Sequence, residues 1–84
     1  MTTRTDLQTK LVPDRVVNLA FDNGWSAARA WREHLGLTQA AVAKRMEVTQ
    51  AAVAQFEVAG AKLRKASRDK LAVALGLTGE QIDW

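Results

Sequence analysis

The sequence has no cysteine and no tyrosine, and it has only one proline and one histidine. Without cysteine, neither a disulfide nor a thiolate metal site can stabilise the 84-residue chain, and its composition suits a reducing compartment. A chain of this length forms one small domain that buries only about 60–65% of the surface of the unfolded state. Burial against a second copy is therefore a further source of stability, which is a first argument for a dimer.

Long apolar runs are missing as well. No uncharged stretch could span a bilayer, and the polar segment 1–14 lacks the apolar centre of a signal peptide. We therefore expect a cytoplasmic protein that does not contact a membrane. A glycine-rich phosphate loop, a nucleophile with its base and paired carboxylates are also absent, and His34 has no ligand cluster around it. We expect no enzyme activity, no cofactor and no metal ion.

Positive charge is concentrated in one part of the sequence. Residues 38–70 contain seven basic and three acidic residues, whereas residues 1–37 contain five and four, and residues 71–84 contain two acidic residues only. This excess forms either a solvated basic face or a face that binds a polyanion, because a local excess of lysine and arginine is typical of nucleic-acid binding.

Glycines divide the sequence into pieces of helical length, at Gly24, Gly36, Gly60 and Gly76. No piece alternates polar and apolar residues as a strand would. The pattern predicts an all-α domain of five to six helices over residues 13–84, preceded by a polar N-terminal arm at residues 1–12. Disorder is the default for such an arm, which carries Arg4 and Lys10; a minor-groove arm or a segment that contacts a partner protein are the alternatives.

Helix ends are predicted from proline and from capping residues. The first helix is expected to begin at Pro13, because proline suits a first helical position. The second is expected to run from a Ser26 cap to Leu35, with Leu35 in its apolar stripe. Ser67 is predicted to cap a later helix, and Thr78 is predicted to cap a last turn.

The hexapeptide Thr-Gln-Ala-Ala-Val-Ala occurs twice, at residues 38–43 and 49–54. An 11-residue repeat would indicate a right-handed supercoil. The segment 11 residues before the first copy reads AARAWR, however, and the segment 11 residues after the second copy reads GAKLRK. Neither matches the hexapeptide. The alternative is a pair of short helices that begin in the same way.

A threonine N-cap explains the repetition, since its hydroxyl satisfies an otherwise unpaired N–H at a helix start. Thr38 and Thr49 would cap helices over residues 39–46 and 50–57. So little chain lies between them that the pair is predicted to be a helix-turn-helix unit over residues 38–57.

The apolar spacing supports this interpretation. The small or apolar residues that would bury the face shared by the two helices are Val42, Ala43, Met46, Val48, Val53 and Phe56. The polar residues that would point outward are Gln39, Lys44, Arg45, Gln50 and Gln55.

Over about residues 27–83 the chain resembles the lambdoid-repressor-like, or Xre-type, helix-turn-helix family. The matching residues are Leu35-Gly36-Leu37-Thr38-Gln39, Ala43, Val48-Thr49-Gln50, Val53, Glu57 and Ala74-Leu75-Gly76-Leu77. More narrowly, WREHLGLTQ, TQAAVAQFE, KLRKASRDKLAVALGL and EQIDW resemble small antitoxins of type II toxin–antitoxin modules. Those proteins repress their own operon and neutralise a toxin.

The resemblance implies a compact lambda-repressor-like fold that binds double-stranded DNA. The residues that it assigns to DNA binding are Gln39, Thr49, Gln50, Ala51, Ala52, Gln55, Lys62, Arg64 and Lys65. Gln39 would contact a phosphate, and Gln50 would pair with N6 and N7 of adenine in the major groove. Ala51 and Ala52 would contact thymine methyl groups, Gln55 would reach a base or a phosphate, and the three basic residues would hold the DNA backbone.

The resemblance also implies an ion pair between Arg32 and Glu57 that is structural and does not bind DNA. The sequence departs from the family at Glu47, where glycine is usual. If the backbone there has φ > 0, a non-glycine residue costs on the order of 1 kcal/mol. The recognition face is also rich in alanine, so specificity would depend on operator shape and deformability, or be modest.

From the basic segment and the resemblance we expect a sequence-specific repressor that binds a palindromic operator as a homodimer. Half-sites would lie about one helical turn apart, roughly 34 Å. Ile82 and Trp84 are either core residues or partly exposed residues that contact the second copy. The resemblance favours an autoregulating antitoxin; the alternatives are a protein-binding module that chiefly sequesters a toxin, and a stand-alone phage-type regulator.

Overall fold

The structure, a computed structural model, describes residues 12–84. Residues 1–11, which contain Arg4, Lys10 and most of the predicted arm, lie outside the described residues. The described part contains six helices and no strand, in agreement with the predicted all-α class. The helices are α1 (Asp14–Asn23), α2 (Ala27–His34), α3 (Gln39–Met46), α4 (Gln50–Phe56), α5 (Lys65–Leu75) and α6 (Gly79–Ile82). None of these helices is both long and apolar enough to cross a membrane.

The first described residue belongs to the core. Val12, assigned to the polar arm, is only 2% exposed and packs in the core with Val16 and Val17. Pro13 is the N-cap of α1 and not its first helical residue, so the helix starts at Asp14. The Pro13 carbonyl accepts the backbone N–H groups of Val16 and Val17 at 3.0 and 3.2 Å.

The helix α2 begins as predicted but ends one residue early. Ser26 Oγ accepts the backbone N–H of Arg29 at 3.2 Å, as an N-cap does. At the other end, Gly36 has φ 71°, and the N–H of Leu37 returns to the Arg32 carbonyl at 3.1 Å. Because the chain reverses there, Leu37 packs against the core while Leu35 is 41% exposed. The prediction of Leu35 in the apolar stripe is therefore wrong.

The helix α5 starts at Lys65, so the predicted Ser67 cap is also wrong. Arg64 has the extended backbone of an N-cap, and its carbonyl accepts the N–H of Arg68 at 2.9 Å. An ion pair one turn apart, Lys65 Nζ to Asp69 Oδ2 at 2.7 Å, favours the helical first turn. Ser67 therefore lies inside the helix.

One core joins the helices: α1 packs on α2, and α3 packs on both α4 and α5. The helix α6 closes the core, since the indole Nε1 of Trp31 donates to the Gln81 carbonyl at 2.7 Å. The Thr78 N–H donates to Gln81 Oε1 at 3.0 Å and holds the first turn of α6. Ile82 is consequently 7% exposed within a single copy. Of the two alternatives for Ile82, the structure therefore supports the core position and not an exposed contact with a second copy.

Trp84 lies just beyond α6 and is half-buried. Its indole Nε1 donates to the Gln81 carbonyl at 2.6 Å. Its ring centroid lies 6.4 Å from that of Phe21, whose side chain is 66% exposed. An aromatic pair is thus present on the surface of the single domain.

Candidate nucleic-acid interface

The two copies of the hexapeptide begin α3 and α4, as predicted. The hydroxyl of Thr38 accepts the Ala41 N–H at 3.0 Å, and that of Thr49 accepts the Ala52 N–H at 3.1 Å. Both threonines have extended backbones, with ψ 159° and 156°. The same local chemistry therefore starts both helices of the unit.

The face shared by α3 and α4 is apolar and closely packed. Val42 and Val53 are fully buried, and Ala43 and Met46 are 4% and 5% exposed. The other two predicted residues, Val48 and Phe56, are half-buried and pack against the same core. The small Ala43 side chain lets the two helices approach each other.

The turn between the helices has a left-handed residue that is not glycine. Glu47 has φ 58° and ψ 42°, and it is the only non-glycine residue with positive φ in residues 12–84. Its N–H bonds to the Lys44 carbonyl at 3.2 Å, and the Val48 N–H bonds to the Ala43 carbonyl at 3.0 Å. These two bonds form a Schellman motif, in which the residue at Glu47 is usually glycine.

A buried ion pair connects α2 to the end of α4. Arg32 Nε lies 2.5 Å from Glu57 Oε2, and Arg32 Nη2 donates to Glu57 Oε1 at 3.0 Å. The two residues are 8% and 7% exposed, and Arg32 Nη1 donates to the Leu37 carbonyl at 2.8 Å. The hydrogen bonds that Arg32 donates to Glu57 raise the pKa of Arg32 above its ordinary value, against the opposing effect of burial. Arg32 therefore stays charged, and the expected internal pair is present.

Gln39 and Gln50 extend this pair to the surface. Gln39 is half-buried, and its Nε2 donates to Glu57 Oε1 at 3.1 Å. Its Oε1 accepts from Gln50 Nε2 at 3.5 Å. Gln39 was expected to point outward, and its bond to Glu57 was not predicted. The contact joins residues far apart in sequence, and it depends on how α4 packs on α3.

Most of the predicted DNA-binding residues lie on the surface of the domain. Those classed as exposed are Thr49, Gln50, Ala51, Gln55, Lys62, Arg64 and Lys65, while Gln39 and Ala52 are half-buried. Lys62 and Arg64 follow α4 in the loop that leads to α5, and Lys65 begins α5. The start of α4, its two exposed glutamines and the three cations are therefore close to one another in the sequence.

A crevice of about 260 Å³ lies beside Gln39 and Glu57. Trp25 and Arg29 also line it, and the guanidinium carbon of Arg29 lies 4.2 Å from the centroid of the Trp25 ring. Arg29 was not among the site residues predicted from the sequence. The spacing of tryptophan and arginine one helical turn apart was the available signal.

His34 has an aromatic neighbour. Its ring lies 5.9 Å from that of Trp31 in an edge-to-face arrangement. Among residues 12–84, no group of three or more His, Cys, Asp or Glu side chains is arranged to hold a metal ion.

The family model described as "Helix-turn-helix domain" matches residues 27–84, from the first residue of α2 to the last residue of the sequence. The match covers well over half of the chain, and the chain belongs to this helix-turn-helix family. It is a DNA-binding helix-turn-helix protein, with α3 and α4 as the two helices of the motif. No curated protein and no solved structure matches the chain significantly.

Proposed function

We propose that the chain is a sequence-specific transcriptional repressor that binds a palindromic operator as a homodimer. We further propose that it is the autoregulating, cytoplasmic antitoxin of a type II toxin–antitoxin operon, without catalytic activity of its own. The helix α4 enters the major groove, and the neighbouring polar and basic residues bind the phosphate backbone.

The observation that carries this proposal is the exposed amide of Gln50 and the chain of hydrogen bonds behind it. Glu57 is fixed by Arg32 and accepts from Gln39 Nε2, so Gln39 Oε1 remains to accept from Gln50 Nε2. Gln50 keeps its Oε1 and its second Nε2 proton for DNA. An acceptor and a donor side by side match N6 and N7 of adenine in the major groove.

Phosphate contacts supply most of the affinity in this scheme. Lys62, Arg64 and Lys65 are exposed cations in the segment that follows α4. The second Nε2 proton of Gln39 is available for a phosphate, because the first is used by Glu57. Ala51 and Ala52 carry no polar group, so they can contribute contacts with thymine methyl groups but no hydrogen bonds to bases.

The homodimer places two copies of α4 on successive turns of the operator, roughly 34 Å apart. Trp84 remains the candidate dimer contact, and the exposed Phe21 ring beside it enlarges the apolar area. Sedimentation of the free protein and of its complex with DNA measures this directly. A single copy per operator would contradict the dimer.

Footprinting on the protein's own promoter, followed by gel shifts with Gln50→Ala, tests the proposal. We expect operator binding to weaken by about 1–3 kcal/mol, while binding to unrelated duplex is retained. Asn18→Ala is the matched control, since Asn18 is an exposed amide side chain on α1. Unchanged operator affinity in Gln50→Ala would reject the assigned recognition face.

A second candidate function is a protein-binding module that chiefly sequesters a toxin. It is favoured by an open groove of about 660 Å³ between the end of α3 and α5. Val73 in this groove is 76% exposed, and Arg45, Glu47 and Lys70 surround it. A small reading frame next to the gene would supply the partner. Co-purification of its product with the wild-type chain but not with Val73→Glu would support this function, provided that Val73→Glu still shifts the operator in a gel. Recovery of no partner would reject it.

A further inference from the structure

The side chain of Arg29 is stacked on an aromatic ring and has unused hydrogen-bond donors. Its guanidinium lies over the face of Trp25, with the central carbon 4.2 Å from the ring centroid. Its Nε lies 3.5 Å from Glu33 Oε2, yet it is buried and has no hydrogen-bond partner among the described residues. The side chain as a whole is 42% exposed.

Stacking of this kind suits a guanidinium that binds an anion. The ring restricts the plane of the guanidinium, so less side-chain entropy is lost when its N–H groups make a contact. Glu33 neutralises little of the charge, because an exposed one-turn pair is weak. Glu33 also lies 3.7 Å from Arg32 Nη2, so two cations share it.

The location indicates which anion would approach. Trp25 and Arg29 line the same crevice as Gln39, the residue that we assign to a phosphate. The carboxylate of Glu57 also lines the crevice but is paired with Arg32, and Val58 and Ala59, which follow α4, carry no charge. The crevice therefore continues the proposed DNA interface toward the start of α2, and Arg29 is the cation on that side.

We propose that Arg29, stacked on Trp25, binds a phosphodiester group of the DNA backbone at the α2 side of each half-site. This contact rests on the proposed function, and it adds a positioning residue to it. Arg29 fixes the register of the domain on the duplex, whereas Gln50 distinguishes the base. Phosphate contacts carry no sequence information of their own, so the contribution of Arg29 is the same on every duplex.

The test is the salt dependence of binding to the promoter fragment, measured by fluorescence anisotropy for the wild-type chain and for Arg29→Gln. Each phosphate neutralised contributes about 0.9 to the slope of log affinity against log salt. We expect the slope to fall by about 0.9 in Arg29→Gln, with affinity at low salt reduced roughly tenfold on operator and unrelated duplex alike. Arg15→Gln, an exposed arginine at the opposite end of α1 from the crevice, is the control and keeps the wild-type slope.

A duplex series with one neutral methylphosphonate per molecule locates the contact. At one position near the edge of the half-site, the methylphosphonate is expected to weaken DNA binding by the wild-type protein but not to weaken binding by Arg29→Gln further. Circular dichroism verifies that both variants are folded. Wild-type slope and affinity in Arg29→Gln, with normal operator binding otherwise, would overturn the Arg29 contact alone. Failure of the wild-type chain to bind any duplex would overturn the proposed function and this contact with it.

Discussion

The two copies of Thr-Gln-Ala-Ala-Val-Ala are identical in sequence but occupy different surroundings. Their threonines cap helices in the same way, and their valines, Val42 and Val53, are both fully buried. The last alanine differs: Ala43 is 4% exposed, whereas Ala54 is half-buried. The glutamines differ too, since Gln39 is half-buried against Glu57 and Gln50 is exposed.

The comparison separates what local sequence determines from what packing determines. Caps act within one turn, so the same letters give the same helix start twice. Side-chain exposure depends on what covers the helix: α3 lies between α4 and α5, whereas α4 has no comparable packing on α5. The first copy therefore supports the unit, and the second offers its start to DNA in the function that we propose.

The largest expected effect concerns Glu57. It follows the second copy at the same distance as Met46 follows the first, and both residues are buried, but only Glu57 is charged. We expect Glu57→Gln to lower the free energy of unfolding by about 3–5 kcal/mol, because Arg32 is left buried without its carboxylate. Urea denaturation measures the change.

Glu33→Gln, which also removes one carboxylate charge, is the matched control. Glu33 is 37% exposed and takes part only in the longer ion pairs with Arg29 and Arg32, so the expected change is below about 0.5 kcal/mol. A loss of less than about 1 kcal/mol in Glu57→Gln would mean that the pair does not hold α2 to α4 in solution.

A smaller effect tests the last alanine of each copy directly. Ala43→Leu places extra methyl groups in the packed contact of α3 with its neighbours and should cost about 1–3 kcal/mol of unfolding free energy. Ala54→Leu makes the same change where the side chain is partly exposed, and the expected change is within about 0.5 kcal/mol. Thermal or urea unfolding of the two variants gives the comparison. Equal destabilisation would show that both copies are packed alike.

The smallest effect concerns the ends of the two helices. Glu47, the residue after α3, has φ 58°, whereas Glu57, the residue after α4, is in the right-handed region with φ −91°. Glycine adopts positive φ without steric cost, so Glu47→Gly should raise the free energy of unfolding by about 0.5–1 kcal/mol. The same substitution in a right-handed helical position normally destabilises. A loss of stability in Glu47→Gly would indicate that the Glu47 side chain makes a contact that offsets the backbone strain.

Much of the fold follows from short-range signals in the sequence. Threonine caps and apolar spacing locate α3 and α4 to within a residue, and Gly36 and Gly76 mark the ends of α2 and α5. The expected ion pair between Arg32 and Glu57 came from the family resemblance, because the two residues lie on different helices. Local rules alone could not have paired them.

The errors occur where tertiary packing or chain direction decides. Ile82 is buried because α6 folds back over α2, which no local pattern indicates. Leu35 is exposed because the chain reverses directly after it, although its spacing fits the apolar stripe. Ser67 is a good cap by composition, yet α5 starts two residues before it. The contact of Gln39 with Glu57 likewise depends on tertiary packing.

The central claim is that the second copy of the hexapeptide contacts DNA and the first supports it. The most direct measurement is an NMR titration of the protein with its promoter duplex, following every backbone amide. We predict that the largest shifts occur in residues 49–55 and 62–65, together with Gln39, Trp25 and Arg29. Largest shifts at residues 45–47 and 69–76, with the amides of α4 unchanged, would contradict the account.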